Sequence, residues 1–299
     1  MVKQPISSLL GVFFACLYCL ITVCSTLLIN HFEYTTAPMV LTFYGFLIGC
    51  IFFNLVNLRV IKKTQIMLTK NCGLVLKLNI VTSMMWLSLF YGLKYLDPAI
   101  FTAIFFGTIP LTTMLSDPKS RKSLSSLIFS FVIALIMILI AFDHINSVSS
   151  KYLSFICIAI AIFSGVNSAY INIFAHRLAR QGFTSTQVLS QRLYFLVLFS
   201  GLILCLEGAC KAISFVDIFH VCVISFVSVI APLYLIQKSF DYISPQLVSL
   251  IVPMIPVLTF FAEMIIPGYH FRLVDLVLSI VLTFVLILAT IKRMSMESL

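Results

Sequence analysis

The chain has 299 residues, of which 61% are hydrophobic and only 10% are charged, and its mean hydropathy is +1.14. Ordinary soluble domains carry roughly 25% charged residues, so this composition excludes a soluble globular protein and indicates one that lies in lipid. The formal net charge is +9. We attribute it to loops that contact anionic lipid headgroups, because no soluble basic domain is left over to bind nucleic acid.

Ten apolar segments of about 20 residues follow one another along the chain and predict ten transmembrane helices. They cover residues 6–28, 36–58, 73–93, 99–115, 124–142, 152–175, 188–206, 215–236, 247–266 and 273–291. Helices are favoured over barrel strands, because a helix satisfies its own backbone hydrogen bonds in the hydrocarbon core. The first segment is too long for a secretion signal and nine more follow it, so we interpret it as a helix of the mature protein.

The basic residues between the spans are distributed unevenly, and Lys and Arg in short loops stay on the cytoplasmic side. With a cytoplasmic N-terminus, thirteen basic residues lie on that side and four on the other. The thirteen are Lys3, Arg59, Lys62, Lys63, Lys70, Lys119, Arg121, Lys122, Arg177, Arg180, Lys238, Lys292 and Arg293. The four are Lys94, Lys151, Lys211 and Arg272. This distribution predicts cytoplasmic termini in a multi-pass protein of the cell (inner) membrane.

Sequence motifs for catalysis or metal binding are missing. There is no phosphate-binding glycine loop, no nucleophile elbow and no carboxylate pair, and the five histidines have no metal-ligand spacing. Cys16 and Cys19 form a C-x-x-C pattern, but it lies in the middle of a span and has no second pair. We therefore predict no enzyme, no cofactor and no metal, while a disulfide between Cys205 and Cys210 stays open.

Two stretches of the chain repeat at about half its length. Residues 92–99 read GLKYLDPA and residues 239–246 read SFDYISPQ, so a shared Tyr and a shared Pro are displaced by 147 positions. Pro110 and Pro256 are displaced by 146. Such self-similarity is typical of duplicated transporter scaffolds. Because each half holds five helices, an odd number, the sequence predicts two inverted five-helix repeats, residues 1–145 and 146–299.

The same stretches carry a resemblance to a known family. Residues 89–100 (LFYGLKYLDPAI), which run into a fourth helix with Pro110, resemble the helix 3 to helix 4 hairpin of the drug/metabolite transporter superfamily, EamA type. Residues 234–256 resemble its second copy. The resemblance implies a ten-helix exporter or exchanger of small metabolites. It also implies that helices 1 to 4 and 6 to 9 surround a central cavity, with helices 5 and 10 at the periphery.

Polar side chains recur on one face of the third predicted span. Asn79, Ser83 and Trp86 follow one another at helical spacing, which predicts a polar and aromatic wall of a substrate cavity. Helix packing through Ser and Asn hydrogen bonds is the alternative, and Trp86 is the best candidate for a stacking surface. Asn167 makes a similar patch on the sixth span, where packing is favoured.

Arg192 lies about one turn into the seventh predicted span from its cytoplasmic end. A guanidinium that faces a cavity would bind an anionic group of the substrate through two hydrogen bonds. The alternative is snorkelling, because a long side chain at that depth can reach the headgroups.

Pro256, Thr259 and Glu263 lie on one face of the ninth predicted span. Pro256 and the nearby Pro253 make this helix the best candidate for a discontinuous one. A carboxylate in a membrane helix normally faces a cavity, where it could carry a proton and couple transport to the proton gradient. A carboxylate at headgroup level is the alternative. Glu263 and Arg192 should differ in depth by roughly 20 Å, so we do not expect them to pair.

These features predict a secondary transporter that moves a small polar or amphipathic metabolite by alternating access, as an exporter or exchanger by family analogy. A non-transporting membrane receptor or scaffold and a membrane-embedded enzyme are the alternatives. The expected partners are the small-molecule substrate and the lipid bilayer. The substrate, the direction of transport and the coupling ion do not follow from the sequence, and a homodimer stays open.

Overall fold

The computed structural model describes residues 5–32, 37–116, 124–147, 150–206, 215–243, 245–266 and 272–297. Within these ranges the chain is helical almost throughout and contains no strand. Nine of the described helices are long and apolar enough to cross a membrane. This confirms the all-helical, multi-span class. The count of ten spans, the inverted relation of the two halves and the cytoplasmic termini stay predictions.

The helices are numbered here in chain order. They are α1 (Pro5–Phe32), α2 (Pro38–Val56), α3 (Ile61–Lys70), α4 (Cys72–Tyr95), α5 (Pro98–Ser116), α6 (Leu124–Ser147), α7 (Lys151–Arg180), α8 (Ser185–Gln191), α9 (Tyr194–Leu206), α10 (Phe215–Ile224), α11 (Ala231–Tyr242), α12 (Pro245–Ile251), α13 (Ile255–Ile265) and α14 (Leu273–Glu297). Short 3-10 segments cover Leu58–Val60 and Val252–Met254, and a π-helical segment covers Ser225–Ile230.

Three of the predicted spans are interrupted in the structure. The seventh consists of α8 and α9, the eighth of α10 and α11 around the π-helical segment, and the ninth of α12 and α13 around a 3-10 turn. The seventh and eighth are still counted among the nine long helices, as Ser185–Leu206 and Val216–Ser239, whereas the ninth is not, because its apolar helix Val252–Ile265 is shorter. The helix α3 between the second and third spans was not predicted, because its sequence is polar and short.

Close packing between α4, α5 and α7 forms the middle of the bundle. The helices α4 and α7 pack over most of their length, and α5 packs against α7, α6 and α13. Gly165 lies where α7 crosses α5, and a Cβ atom there would approach the Phe105 carbonyl oxygen to 2.7 Å. The Ser164 hydroxyl donates a hydrogen bond to the Met85 carbonyl at 3.0 Å. These contacts hold α4, which carries several of the predicted site residues, against α7.

The helices α6 and α14 lie at the edge of the bundle and pack against each other. The apolar window of α6 is only 33% buried, against 61% for that of α5, so most of α6 is left to face lipid. We call the end of the bundle at which α1 begins the cytoplasmic end and the opposite end the outer end, after the sequence prediction.

Candidate functional site

The seventh span is interrupted by a side chain from a different helix. The Asn79 Nδ2 atom of α4 donates to the Gln191 carbonyl oxygen at 2.7 Å, and the Asn79 Oδ1 atom accepts from the Phe195 N–H at 3.3 Å. In a continuous helix this N–H and this carbonyl would bond to each other, because they are four residues apart. The Asn79 amide has inserted into the hydrogen-bond ladder and separates α8 from α9. Asn79 is therefore the residue that maintains the break.

Arg192 lies in this break, between the end of α8 and the start of α9. Its side chain is only 9% exposed, and its Nε–H has no hydrogen-bond partner in the part of the chain that the structure describes. Its electrostatic partner is Tyr18 of α1. The guanidinium is thus buried inside the bundle.

Trp86 stands about two helical turns beyond Asn79 on the same face of α4. Its ring lies against Phe46 of α2, with 4.7 Å between ring centroids, and near Phe90 at 6.4 Å. The Trp86 indole Nε1–H is buried, and no described group accepts a hydrogen bond from it. The arrangement provides an apolar wall with one unused donor.

Three further hydroxyl groups on the inner helices are buried without a partner among the described residues. They are the Oγ1 atoms of Thr22 and Thr82 and the Oγ atom of Ser228, on α1, α4 and the π-helical segment. These elements pack against one another: α1 contacts both α4 and the π-helical segment. Each residue lies near the middle of its span. The interior of the bundle therefore has three hydroxyl groups at mid-depth that no described group binds.

The π-helical segment has a cause in the sequence. Pro232 lacks an N–H and cannot bond to the Ser228 carbonyl, so the ladder of the eighth span is disturbed one turn before it. Gly49 of α2 allows the segment to pack closely, because a Cβ atom there would lie 2.7 Å from Val229 Cγ1. Single-turn π-segments inside α-helices are frequent at functional sites.

Ser83 and Asn167 make hydrogen bonds within their own helices. The Ser83 hydroxyl donates to the Asn79 carbonyl at 2.8 Å, and the Asn167 amide donates to the Phe163 carbonyl at 2.8 Å. Both side chains are buried. The structure therefore brings Asn79 and Arg192 to the seventh-span break, with Trp86 about two turns away on α4, while Ser83 and Asn167 have hydrogen bonds typical of helix packing.

The ninth span changes direction at its prolines. Pro256 has no N–H for the Val252 carbonyl, which accepts from the Ile255 N–H instead and closes the 3-10 turn. Pro256 and Thr259 are both buried, and the Thr259 hydroxyl donates to the Ile255 carbonyl at 2.8 Å. Thr283 of α14 satisfies the Pro253 carbonyl at 2.8 Å. These residues determine where α13 begins. The Thr259 hydroxyl and the Pro253 carbonyl both have hydrogen-bond partners within the bundle.

Glu263 joins two helices at the outer end. Its Oε1 atom accepts a hydrogen bond from the Ala99 N–H at 2.7 Å, in the first turn of α5, and the side chain is only 6% exposed. Because the first N–H groups of a helix have no partner within it, a carboxylate there is stabilising. Glu263 and Arg192 are not paired in the structure, in agreement with their predicted difference in depth.

A second contact closes the outer end between α6 and the start of α14. The Arg272 Nη2 atom lies 2.7 Å from the Asp143 Oδ2 atom, and Arg272 Nη1 donates to the Asp143 carbonyl at 3.0 Å. Asp275 is almost completely buried nearby and interacts electrostatically with Asp143. This pair was not predicted from the sequence, because it joins two spans that are far apart along the chain.

At the cytoplasmic end a cavity of about 310 Å³ opens between α2, α8 and α11. Its lining consists of Phe53, Phe183, Thr184, Ser185, Thr186, Leu189, Tyr234, Gln237 and Lys238. None of the predicted site residues lines it, but Leu189 lies one helical turn before Arg192. Sequence reasoning missed this cavity, although the run of hydroxyl residues at 184–186 was a signal for it.

No known protein family matches the chain in sequence, and no curated protein matches it. Five chains of solved structures are similar to it in fold. One of them, described as "Crystal structure of protein", matches 95% of this chain and 96% of its own with a TM-score of 0.63 and 16% sequence identity. At this identity the likeness shows a shared fold over nearly the whole chain. The Cys205–Cys210 pairing is untested, since Cys210 lies outside the described residues.

Proposed function

We propose that the protein is a secondary transporter that moves a small polar or amphipathic metabolite across the cell membrane by alternating access, as an exporter or exchanger. We further propose that it is a drug/metabolite transporter of the EamA type, with inverted repeats at 1–145 and 146–299. Two kinds of observation support this proposal. One is the resemblance of residues 89–100 and 234–256 to the hairpins of that family, and the other is the set of features in the bundle interior.

The observation that carries the proposal is the interruption of three neighbouring spans at mid-depth. Unpaired backbone groups are costly in a bilayer, and broken helices are tolerated where they line a cavity or bind a substrate. Here the seventh span is broken by Asn79, the eighth by a π-helical segment and the ninth by a 3-10 turn. A receptor or a scaffold needs none of these interruptions.

The difference between the two ends of the bundle supports alternating access. At the outer end Glu263 holds α13 against α5, and Arg272 holds α14 against α6. At the cytoplasmic end a cavity lies between α2, α8 and α11, and the hydrogen bond from Thr186 to Asn57 at its edge joins α8 to the end of α2. We infer that the cavity is the access route of the proposed carrier, on the side from which an exporter would load.

Counterflow in liposomes tests the proposal. Purified protein is reconstituted into vesicles loaded with amino acids, organic acids, sugars or amines, and uptake of the labelled form of each is followed against protein-free vesicles. We expect accelerated exchange of one chemical class, and loss of that exchange in Asn79→Leu, which cannot maintain the break in the seventh span. If no class exchanges faster than in protein-free vesicles, the receptor or scaffold alternative replaces the carrier.

A further inference from the structure

We infer that the transported molecule is an organic anion, and that Arg192 binds its negatively charged group at the break in the seventh span. The inference rests on the proposed carrier function and names the substrate class. It starts from the state of Arg192: its side chain is 91% buried, and its Nε–H has no partner among the described residues. A buried charge that lacks a counter-charge is strongly unfavourable, and a bound anion removes that cost.

No carboxylate in the part of the chain that the structure describes acts on Arg192 as a counter-charge. All ten acidic residues lie at or near the ends of the predicted spans, and none lies near the middle of one. Two described carboxylates have partners at the outer end. Glu263 accepts a hydrogen bond from the Ala99 N–H, and Asp143 forms an ion pair with Arg272. The ionisable group that acts on Arg192 is Tyr18, which is neutral in its ordinary state.

The break adds a second source of positive potential. The 13-residue helix α9 begins two residues after Arg192, so the positive end of its dipole and its first N–H groups lie at the same place. The Asn79 side chain accepts from the Phe195 N–H, but not from the N–H groups just before it in the turn. A guanidinium and a helix N-terminus together form a site for a carboxylate or a phosphate group.

The aromatic wall indicates the rest of the ligand. Trp86 is seven residues beyond Asn79 on α4, which places it about 10 Å towards the outer end. Its contact with Phe46 gives a broad apolar surface, and its free indole N–H gives one donor. An anion whose charged group meets Arg192 can therefore extend an apolar body along Trp86.

The cytoplasmic cavity gives such an anion its access. It reaches Leu189, one turn from Arg192, and its walls include Thr184, Ser185 and Lys238. Hydroxyl groups solvate anions, and none of the described residues that line the cavity is a carboxylate. Its volume of about 310 Å³ lies at the small end of ligand pockets.

Thermal unfolding with matched probes tests the inference. The probes are 3-phenylpropionate, phenyl phosphate, 3-phenylpropionamide and 3-phenylpropylamine, which share an aromatic body and differ in charge. We expect the two anions to raise the unfolding temperature of the wild-type protein and the amide and the amine to have no effect. The ratio of the two anion affinities then distinguishes a carboxylate site from a phosphate site.

Two arginines of the chain provide the matched variants. Arg192→Gln should weaken anion binding by at least about 30-fold, because a buried charge pair is removed. Arg180→Gln removes an equal charge at the exposed end of α7 and should bind like the wild type. Arg192→Lys retains the charge without the planar fork and should bind with intermediate affinity. If Arg192→Gln does not fold, the affinity of Arg192→Lys provides the test instead.

The inference is overturned if the amide or the amine stabilises the wild-type protein as well as the anions do. It is equally overturned if no probe binds, or if folded Arg192→Gln responds like the wild type. Flux through reconstituted vesicles separates this outcome from a failure of the carrier proposal. Anions that bind through Arg192 but never cross would refute transport and leave the site, whereas exchange of neutral or cationic solutes alone would leave transport and refute the anion.

Discussion

The Asn79 side chain has a role that extends beyond its own helix. Its amide replaces a backbone hydrogen bond between Gln191 and Phe195, 112 and 116 positions later in the chain. Asn167 is buried to a similar extent, but its amide bonds only to Phe163 of the same helix. The two residues therefore differ in what their loss would disturb.

We predict that Asn79→Ala lowers the free energy of unfolding by about 2 kcal/mol, because it removes partners from two buried backbone groups. Asn167→Ala should cost less than about 0.5 kcal/mol, since its carbonyl partner already accepts a helical bond. Unfolding in mixed micelles, followed by circular dichroism, measures both. Equal losses in the two variants would show that Asn79 does not maintain the break.

Glu263 has two separable roles, as a cap on α5 and as the predicted coupling residue. Gln at this position retains an oxygen that can accept from the Ala99 N–H but cannot release a proton. We predict that Glu263→Gln exchanges substrate while losing the response to a pH gradient, because protonation no longer weakens the contact between α13 and α5. Vesicle flux with and without a gradient measures this. Coupling through Glu263 is refuted if the wild type ignores the gradient and Glu263→Gln behaves like it.

At the scale of single residues the sequence indicated chemistry but not contacts. Helical spacing placed Asn79 and Trp86 on one face of α4, and Arg192 was a candidate for binding an anionic group of the substrate. The link between Asn79 and the seventh span could not be foreseen, because it depends on how two helices far apart in sequence are rotated. The same applies to Glu263, whose partner is a backbone N–H of another helix.

The helices pack closely where small residues allow it. Gly165 of α7 approaches α5 so tightly that its would-be Cβ meets the Phe105 carbonyl and Thr108, both at 2.7 Å. Gly73, at the start of α4, has no atom within 4 Å of the same position. These two glycines form a matched pair for testing the crossing of α7 and α5.

We predict that Gly165→Ala lowers the free energy of unfolding by about 2 kcal/mol, because the added methyl group pushes a backbone and not a flexible side chain. Gly73→Ala should be neutral or stabilising by up to about 1 kcal/mol, as expected for a helical position in open space. The same unfolding measurement applies. A neutral Gly165→Ala would mean that α7 and α5 are further apart than described.

At the scale of helices the hydropathy pattern predicted the long spans within a few residues, because the length needed to cross lipid leaves little freedom. Prolines correctly marked the irregular ninth span. The break in the seventh span has no Pro or Gly, so nothing local announced it. The amphipathic α3 was missed because interfacial helices lack the long apolar signal.

Within the described residues the two ends of the bundle differ, because a cavity lies at the cytoplasmic end and side-chain contacts join helices at the outer end. Ser185 lines the cytoplasmic cavity, whereas Thr259 is completely buried beneath the contacts of the outer end. We expect this arrangement to be one of the two conformations that the proposed carrier would adopt.

We predict that Ser185→Cys in a cysteine-free background reacts rapidly with a water-soluble thiol reagent, because its side chain faces the cavity. Thr259→Cys should react slowly in the resting protein and faster when a transported solute drives the bundle through its cycle. Labelling rates followed by mass spectrometry measure both. Rates that never change with any transported solute would contradict alternating access.

The inserted amide of Asn79 bears on how the bundle is assembled. A peptide that spans residues 185–206 alone has no reason to be interrupted, so in micelles it should form one straight rod. The break would form only when the third span, which carries Asn79, lies alongside the seventh span in the membrane. The seventh span would then acquire its shape late in biogenesis, and the pocket would be completed by docking instead of by insertion.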